Sequence, residues 1–295
     1  MQLRKMIMDT RIVVEPTGGA LGAEICDVTL SADLSDTIFD QIVAALAEHL
    51  VLRFPNHHLA EDDLVSFSAR FGQLDMAPIR PSGLPASGLR REINVLSNIM
   101  ANGGPVGGLG NSELVWHQDM TYKPLPPKAS LLYAIEVPET GGETHFYNLC
   151  AAYETLPAAL RVRIENLSCK HDATRNSAGQ LRAGFDAAYS NSDRPGAVHP
   201  LVVRHPVTGK RSLYLGRRPN AWVVGLSDTE SDQLLDDLWG HVESGDACYA
   251  HAWEVGDLVI WDNRFTLHRR GTLDPQQRRL MYRTQVRDTE PPMAA

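Results

Sequence analysis

Residues 278–286 read Arg278-Arg279-Leu280-Met281-Tyr282-Arg283-Thr284-Gln285-Val286. This stretch reads as a β-strand. Successive side chains of a strand point to opposite faces, so Arg279, Met281 and Arg283 share one face and Leu280, Tyr282 and Thr284 the other. Two guanidinium groups aimed the same way make a pocket for anions. The same pattern also fits a solvated basic edge that guards a sheet against aggregation.

Outward from this strand, other short segments rich in Val, Leu, Ile and Tyr are bounded by Gly, Pro or Asn. They predict strands at 50–54, 93–97, 113–119, 130–137, 143–148, 199–204, 212–216 and 257–262. Four helices are readable between them. The first runs from Asp36 to His49 with Ser35 as its cap, and the second carries Leu64, Phe67 and Phe71 and stops at Gly72. The third lies around Pro157 to Asn166, and Ser227-x-x-Glu230 opens the fourth as a capping box. Many strands without regular βαβ alternation predict a mainly β fold, a sandwich or barrel with flanking helices.

Composition narrows the function. The 295 residues carry 28 Lys and Arg against 36 Asp and Glu, a net charge of −8. That balance argues against a nucleic-acid surface, which needs a basic face. Leu131–Ile135, like every other apolar run in the sequence, is far too short to span a membrane. Cys26, Cys150, Cys169 and Cys248 form no C-x-x-C pair, which fits a reducing cytoplasm and gives no support to structural zinc. No linker divides the chain, so residues 1–295 are read as a single domain, with 1–10 and 288–295 as loose ends.

Two histidine-bearing stretches carry candidate chemistry. In Trp116-His117-Gln118-Asp119-Met120-Thr121, strand alternation brings His117 and Asp119 to one side. Alone, such an H-x-D pair is a weak signal. The second stretch is Trp261-Asp262-Asn263-Arg264-Phe265-Thr266-Leu267-His268, led by the apolar residues Leu258, Val259 and Ile260. Two His and one carboxylate with open coordination positions match the facial triad of non-haem Fe(II) oxygenases, and a zinc hydrolase accepts the same donors. A charge count favours the oxygenase. Fe(II) with two neutral His and one Asp carries +1, a dianionic 2-oxo acid brings −2, and one arginine leaves a buried site near neutral. A non-catalytic jelly-roll binding protein is the remaining alternative.

The ordered set of motifs resembles the taurine dioxygenase / 2,4-dichlorophenoxyacetate dioxygenase (TauD/TfdA) family. It comprises Val51-Leu52-Arg53-Phe54, Phe71-Gly72-Gln73-Leu74, Trp116-His117-Gln118-Asp119 and Pro138-x-x-Gly141-Gly142-Glu143-Thr144. It continues through His205-Pro206-x-Thr208-Gly209, Trp261-Asp262-Asn263-Arg264 and His268 to Arg279-Leu280-Met281-Tyr282-Arg283. The resemblance implies a double-stranded β-helix (jelly roll). It also implies an Fe(II)- and 2-oxoglutarate-dependent dioxygenase that hydroxylates a small organic anion with O2, forming succinate and CO2. His117, Asp119 and His268 would then ligate iron. Arg279 and Thr144 would hold the distal carboxylate of 2-oxoglutarate. Arg283 would meet either the substrate's anionic group or the near carboxylate of 2-oxoglutarate.

The segment after Phe71-Gly72-Gln73-Leu74 reads Asp75 to Arg80 without the histidines of the taurine-using members, and Glu113 stands four residues before the first ligand where they carry Asn. Both point away from taurine. Tyr122, Arg80 and Arg217, with neighbouring Arg218, are candidate substrate contacts that the family pattern does not assign. His57, His58, His145, His205 and His241 are read as structural, and the glycine-rich segment 103–110 as a mobile stretch or lid. A small-molecule substrate and a homo-oligomer are expected, with no nucleic-acid or membrane partner.

Overall fold

A computed structural model describes residues 11–31, 33–77, 89–109, 114–176, 179–186 and 188–295. The first half of the chain carries β1 (Val13–Pro16), β2 (Ala23–Cys26), α1 (Asp36–His49), β3 (Val51–Phe54), α2 (Glu61–Ala69) and β4 (Asn94–Ser97). Next come β5 (Met100–Ala101), β6 (Gly104–Pro105), β7 (Gly108–Leu109), β8 (Pro127–Glu136), β9 (Thr144–Asn148) and α3 (Leu149–Thr155). The second half carries α4 (Ala158–Ile164), β10 (Ser168–Lys170), β11 (Val198–Pro200), β12 (Val202–Arg204), β13 (Arg211–Leu213) and β14 (Trp222–Val223). It ends with α5 (Asp228–Ser244), β15 (Cys248–His251), β16 (Leu258–Asp262), β17 (Thr266–Arg270) and β18 (Leu280–Arg287). The described residues are thus mainly β, with five helices.

An eight-stranded sheet runs β1-β2-β3-β16-β8-β18-β4-β7, and a three-stranded sheet runs β15-β9-β17. Strand alternation explains the near-continuous apolar runs of β8 and β16. Leu131, Tyr133, Leu258 and Ile260 face one way, onto Ile38, Ile42 and Leu46 of α1 and Leu64 and Phe67 of α2. Leu132, Ala134, Val259 and Trp261 face the other way, into a core shared with Phe146 of β9. The Trp261 and Phe146 rings are 5.5 Å apart. Both faces of the large sheet are therefore covered, which removes the polar half of the usual pattern. The outer face of the small sheet, through Tyr147 and Leu267, packs on Leu149 of α3 and Leu234 and Leu238 of α5.

Local signals set several boundaries. Ser35 Oγ accepts from Ile38 N at the start of α1, and Leu50 closes it at φ 64°, turning the chain into β3. Ser227 and Glu230 form the reciprocal capping box of α5. Gly141, at φ 77°, turns the chain before β9, and a Cβ there would sit 2.6 Å from Thr272 O. Only glycine fits both the angle and that approach.

Three expectations are corrected. Segment 113–119 is not a strand in its described part: His117 makes a single bridge to His268, and Asp119 lies in a turn before Met120 at φ 51°. The described part of the glycine-rich segment is built into the fold, since β5 pairs with β6 and β7 pairs with β4. The end of the chain is docked rather than loose. Arg204 N donates to Met293 O (3.0 Å), Ala295 N to Val202 O (3.3 Å), and Arg264 pairs with Asp288 (3.2 Å). Residues 1–10 lie outside the described set.

Candidate active site

The inner faces of the two sheets meet at His117, Asp119 and His268. His117 and His268 exchange both backbone hydrogen bonds, 3.0 and 2.8 Å, which fixes their rings side by side. His117 Nδ1 sits 2.9 Å from Val115 O and turns Nε2 toward Asp119. The two Nε2 atoms lie 3.9 Å (His117) and 3.8 Å (His268) from the Asp119 carboxylate oxygens. One ligand atom from each of the three residues lies within 4.8 Å of the others, and all three residues are buried. Ligand bonds of about 2.1 Å allow two donors on one ion to stand up to about 4.2 Å apart. The His–Asp separations satisfy that limit.

Electrostatics hold Asp119 and His268 in metal-binding states. Burial alone would raise the Asp119 carboxyl, but Arg283, the two histidines and Ser130 outweigh it and bring it to about 2. Burial, with the neighbouring His117, lowers His268 to about 3. Near neutral pH the site thus holds an ionised carboxylate and a neutral His268 imidazole, the forms that ligate metals.

A set of buried amides positions the Asp119 turn. Asn263 accepts from Asp119 N (2.7 Å) and donates to Asp119 O (3.0 Å) and Pro127 O (2.9 Å). Gln118 Nε2 donates to Asn263 O and Arg264 O, while its Oε1 accepts from Leu215 N and Gly216 N. Asp119 Oδ2 accepts from Ser130 Oγ (3.2 Å), Gln285 Nε2 (3.0 Å) and Arg283 (3.4 Å). Ser130 was not singled out from the sequence, and Gln118, Asn263 and Gln285 appeared there without a role. Their partners lie far off along the chain, where no local pattern reveals them.

Two cavities adjoin this cluster. The narrower one is lined by Thr144, Trp261, His268, Arg270, Arg279 and Arg283 among others. Thr144 Oγ accepts from Trp253 Nε1 (3.0 Å), which leaves its hydroxyl hydrogen to donate. Asn98 and Ser97 bind the Arg279 backbone. Arg270 was missed in the sequence, where Arg269-Arg270 reads as a basic run. Alternation from His268 finds it, because residues two apart on β17 share a face. Its strand partner is Thr144.

The broader cavity holds about 560 Å³ and is lined by His117, Asp119, Tyr122, Arg182, Arg217 and Arg283 among others. Arg283 borders both cavities. The expected substrate contacts separate here. Tyr122 lines the cavity. Arg217 reaches it, but its guanidinium donates to Arg175 O and Asn176 O. Arg218 instead pairs with Asp232 and Asp236 on α5. Arg80 and Glu113 lie outside the described residues. Of the histidines read as structural, His145 meets Trp116 on the face opposite Thr144, and His205 stacks on Phe265.

The model of the taurine catabolism dioxygenase TauD, TfdA family matches residues 14–285. The chain belongs to the TauD/TfdA family. Family membership makes it an oxidoreductase, a dioxygenase that uses Fe(II), 2-oxoglutarate and O2. An (S)-phenoxypropionate/alpha-ketoglutarate-dioxygenase of Sphingobium herbicidovorans is 33% identical over 278 residues, 92% of this chain and 94% of its own. An alpha-ketoglutarate-dependent sulfate ester dioxygenase of Pseudomonas putida is 34% identical, covering 86% of this chain and 82% of its own. The crystal structure of AAD-2 in complex with Mn(II) and N-oxalylglycine superposes with a TM-score of 0.77 at 30% identity, covering 96% of this TauD/TfdA chain and 100% of that one. Among the described residues no helix is long and apolar enough to cross a membrane.

Proposed function

We propose that this TauD/TfdA enzyme hydroxylates a small organic anion in the broader cavity, with 2-oxoglutarate seated in the narrower one. The observation that carries the reading is that the two cavities meet at one buried cluster of two imidazoles and a carboxylate. His117, Asp119 and His268 hold Fe(II). The metal, once bound, supplies O2 activation for C–H hydroxylation coupled to decarboxylation of 2-oxoglutarate to succinate and CO2.

The remaining steps belong to side chains. Arg279 and Thr144 grip the distal carboxylate of 2-oxoglutarate, one by a charged fork and the other by a hydroxyl donor. Arg270, on the same strand face as His268, adds a second guanidinium there. Arg283 stands at the junction, holds Asp119 ionised, and offers its charge to whichever carboxylate lies beside the metal. Leu96, Leu132 and Trp261 close the narrower cavity and limit water.

Substrates of the relatives support an anion with an apolar body, an aryloxyalkanoate or a sulfate ester. We read the two-layered sheet as a double-stranded β-helix and the chain as one domain, supported by the reach of the family match. Four cysteines without a disulfide support a cytoplasmic setting. Succinate formation by the Fe(II)-loaded enzyme across aryloxyalkanoates, alkyl sulfates, sulfonates and amino acids tests the substrate class. The account expects stimulation by at least one aryloxyalkanoate or sulfate ester. Stimulation by amino acids alone would overturn it.

A further inference from the structure

The outer wall of the broader cavity is a hairpin. Arg182 N donates to Thr174 O (2.8 Å), Asn176 N to Gln180 O (2.9 Å), and Arg175 bridges Leu181. Arg217 braces this hairpin from beneath through the carbonyls of Arg175 and Asn176. Asp172, at its base, is committed to Thr174 N, Thr174 Oγ and Asn220 Nδ2.

The cationic groups of this cavity are not equivalent. Arg283 is paired with Asp119 (3.4 Å) and Lys123 with Asp75 (3.5 Å). Arg217 is occupied by backbone carbonyls. Arg182 differs. Its guanidinium carbon lies 4.0 Å from the centre of the Tyr122 ring, and among the described residues it makes no ion pair with a carboxylate. Arg182 and Arg217 also stand close enough for the charge of one to disfavour that of the other. A guanidinium held over an aromatic ring keeps its planar, rigid fork of N–H donors available for a carboxylate or sulfate.

We propose that Arg182, held on the Tyr122 ring, binds the anionic group of the prime substrate. The anion station is then separate from Arg283. Arg182 and Tyr122 line the same cavity as His117 and Asp119, so an anion held on Arg182 keeps the rest of its molecule within that cavity, beside the cluster. The fitting class is therefore an extended monoanion, such as a carboxylate or sulfate on an aryl or alkyl body. Arg182 sets specificity, and Tyr122 positions it.

This inference rests on the reading that the broader cavity takes an organic anion. The test uses the Fe(II)-loaded enzyme with 2-phenoxypropanoate, 2,4-dichlorophenoxyacetate and hexyl sulfate. Their neutral counterparts, the two methyl esters and hexanol, serve as controls. Succinate formation gives the apparent constants, and intrinsic tryptophan fluorescence gives binding. Arg182→Ala should weaken the anion at least tenfold, leave the neutral counterpart within twofold, and leave the constant for 2-oxoglutarate within twofold. Arg182→Lys should recover part of the loss. Tyr122→Ala should weaken the anion less than Arg182→Ala, and Tyr122→Phe should match the wild type. Anion binding that is unchanged in Arg182→Ala overturns the inference and leaves the oxygenase reading intact. A wild-type enzyme that answers to the neutral counterparts and to no anion overturns both.

Discussion

Asn263→Ala probes how the metal cluster is held. The Asn263 amide is fully buried and makes three hydrogen bonds, to Asp119 N, Asp119 O and Pro127 O. Removing it strands one N–H and two carbonyls in the interior. Each stranded group costs about 1–3 kcal/mol, so partial relaxation leaves a loss of roughly 4 kcal/mol against a total stability of about 5–15 kcal/mol. The Asp119 turn would also lose its orientation, weakening metal binding about 10- to 100-fold. Asn263→Asp sharpens the test. It keeps the acceptor for Asp119 N but sets lone pairs against two carbonyls, so it should be no better than Ala. The assay is urea unfolding of the metal-free protein, paired with a Mn(II) titration. A loss below about 1 kcal/mol with unchanged Mn(II) affinity would refute the clamp.

Arg279→Ala should raise the apparent constant for 2-oxoglutarate strongly, a loss on the order of 2–5 kcal/mol, because a forked charge-assisted contact disappears from a dry site. Arg270→Gln should act on the same curve by a smaller amount. Equal constants in mutant and wild type, read by calorimetric binding of 2-oxoglutarate, would remove that residue from the cosubstrate site. Stability should fall in mild acid. Burial lowers His171 and His268 to about 3, below the unfolded value of about 6.5. Between those limits the unfolded chain binds protons that the folded one refuses. The metal-free protein should therefore lose up to about 1.4 kcal/mol per pH unit for each histidine as pH falls below about 6.5. Asp119, lowered to about 2, adds a further loss as pH falls from about 4 toward 2. Replacing His171 with Asn should remove about one proton from that slope, and an unchanged slope in urea titrations across pH would contradict it.

The sequence carried some of this directly and concealed the rest for identifiable reasons. Helix α1 was legible to the residue because Ser35 caps it and its apolar period is helical. Strand β18 was legible because alternation separates Met281 and Arg283 from Tyr282, with Arg279 just ahead of its first residue. The His117–Asp119 convergence was anticipated, though from a strand that does not form. The turn at Met120 and the Asn263 clamp replace the ladder, and both depend on a partner 144 residues away. Arg270 was hidden by the adjacent Arg269, which lies over Trp116 on the opposite face. Arg182 carries no motif. It becomes visible only when the hairpin folds it onto Tyr122. The C-terminus looked loose because chain ends usually are, whereas its backbone pairs with β12.

The central claim is that His117, Asp119 and His268 together hold the iron that couples 2-oxoglutarate and O2 to hydroxylation. The most direct measurement is succinate formation by the purified protein with Fe(II), ascorbate and 2-oxoglutarate, run alongside Mn(II) binding to the wild type and to His117→Ala, Asp119→Ala and His268→Ala. The account predicts that turnover requires O2 and stops in each variant. It also predicts weakened Mn(II) binding with the far-ultraviolet circular dichroism of the wild type preserved, since each variant lacks one of three protein ligands. Wild-type turnover in any of the three, or full activity with Zn(II) in the absence of O2, would contradict it.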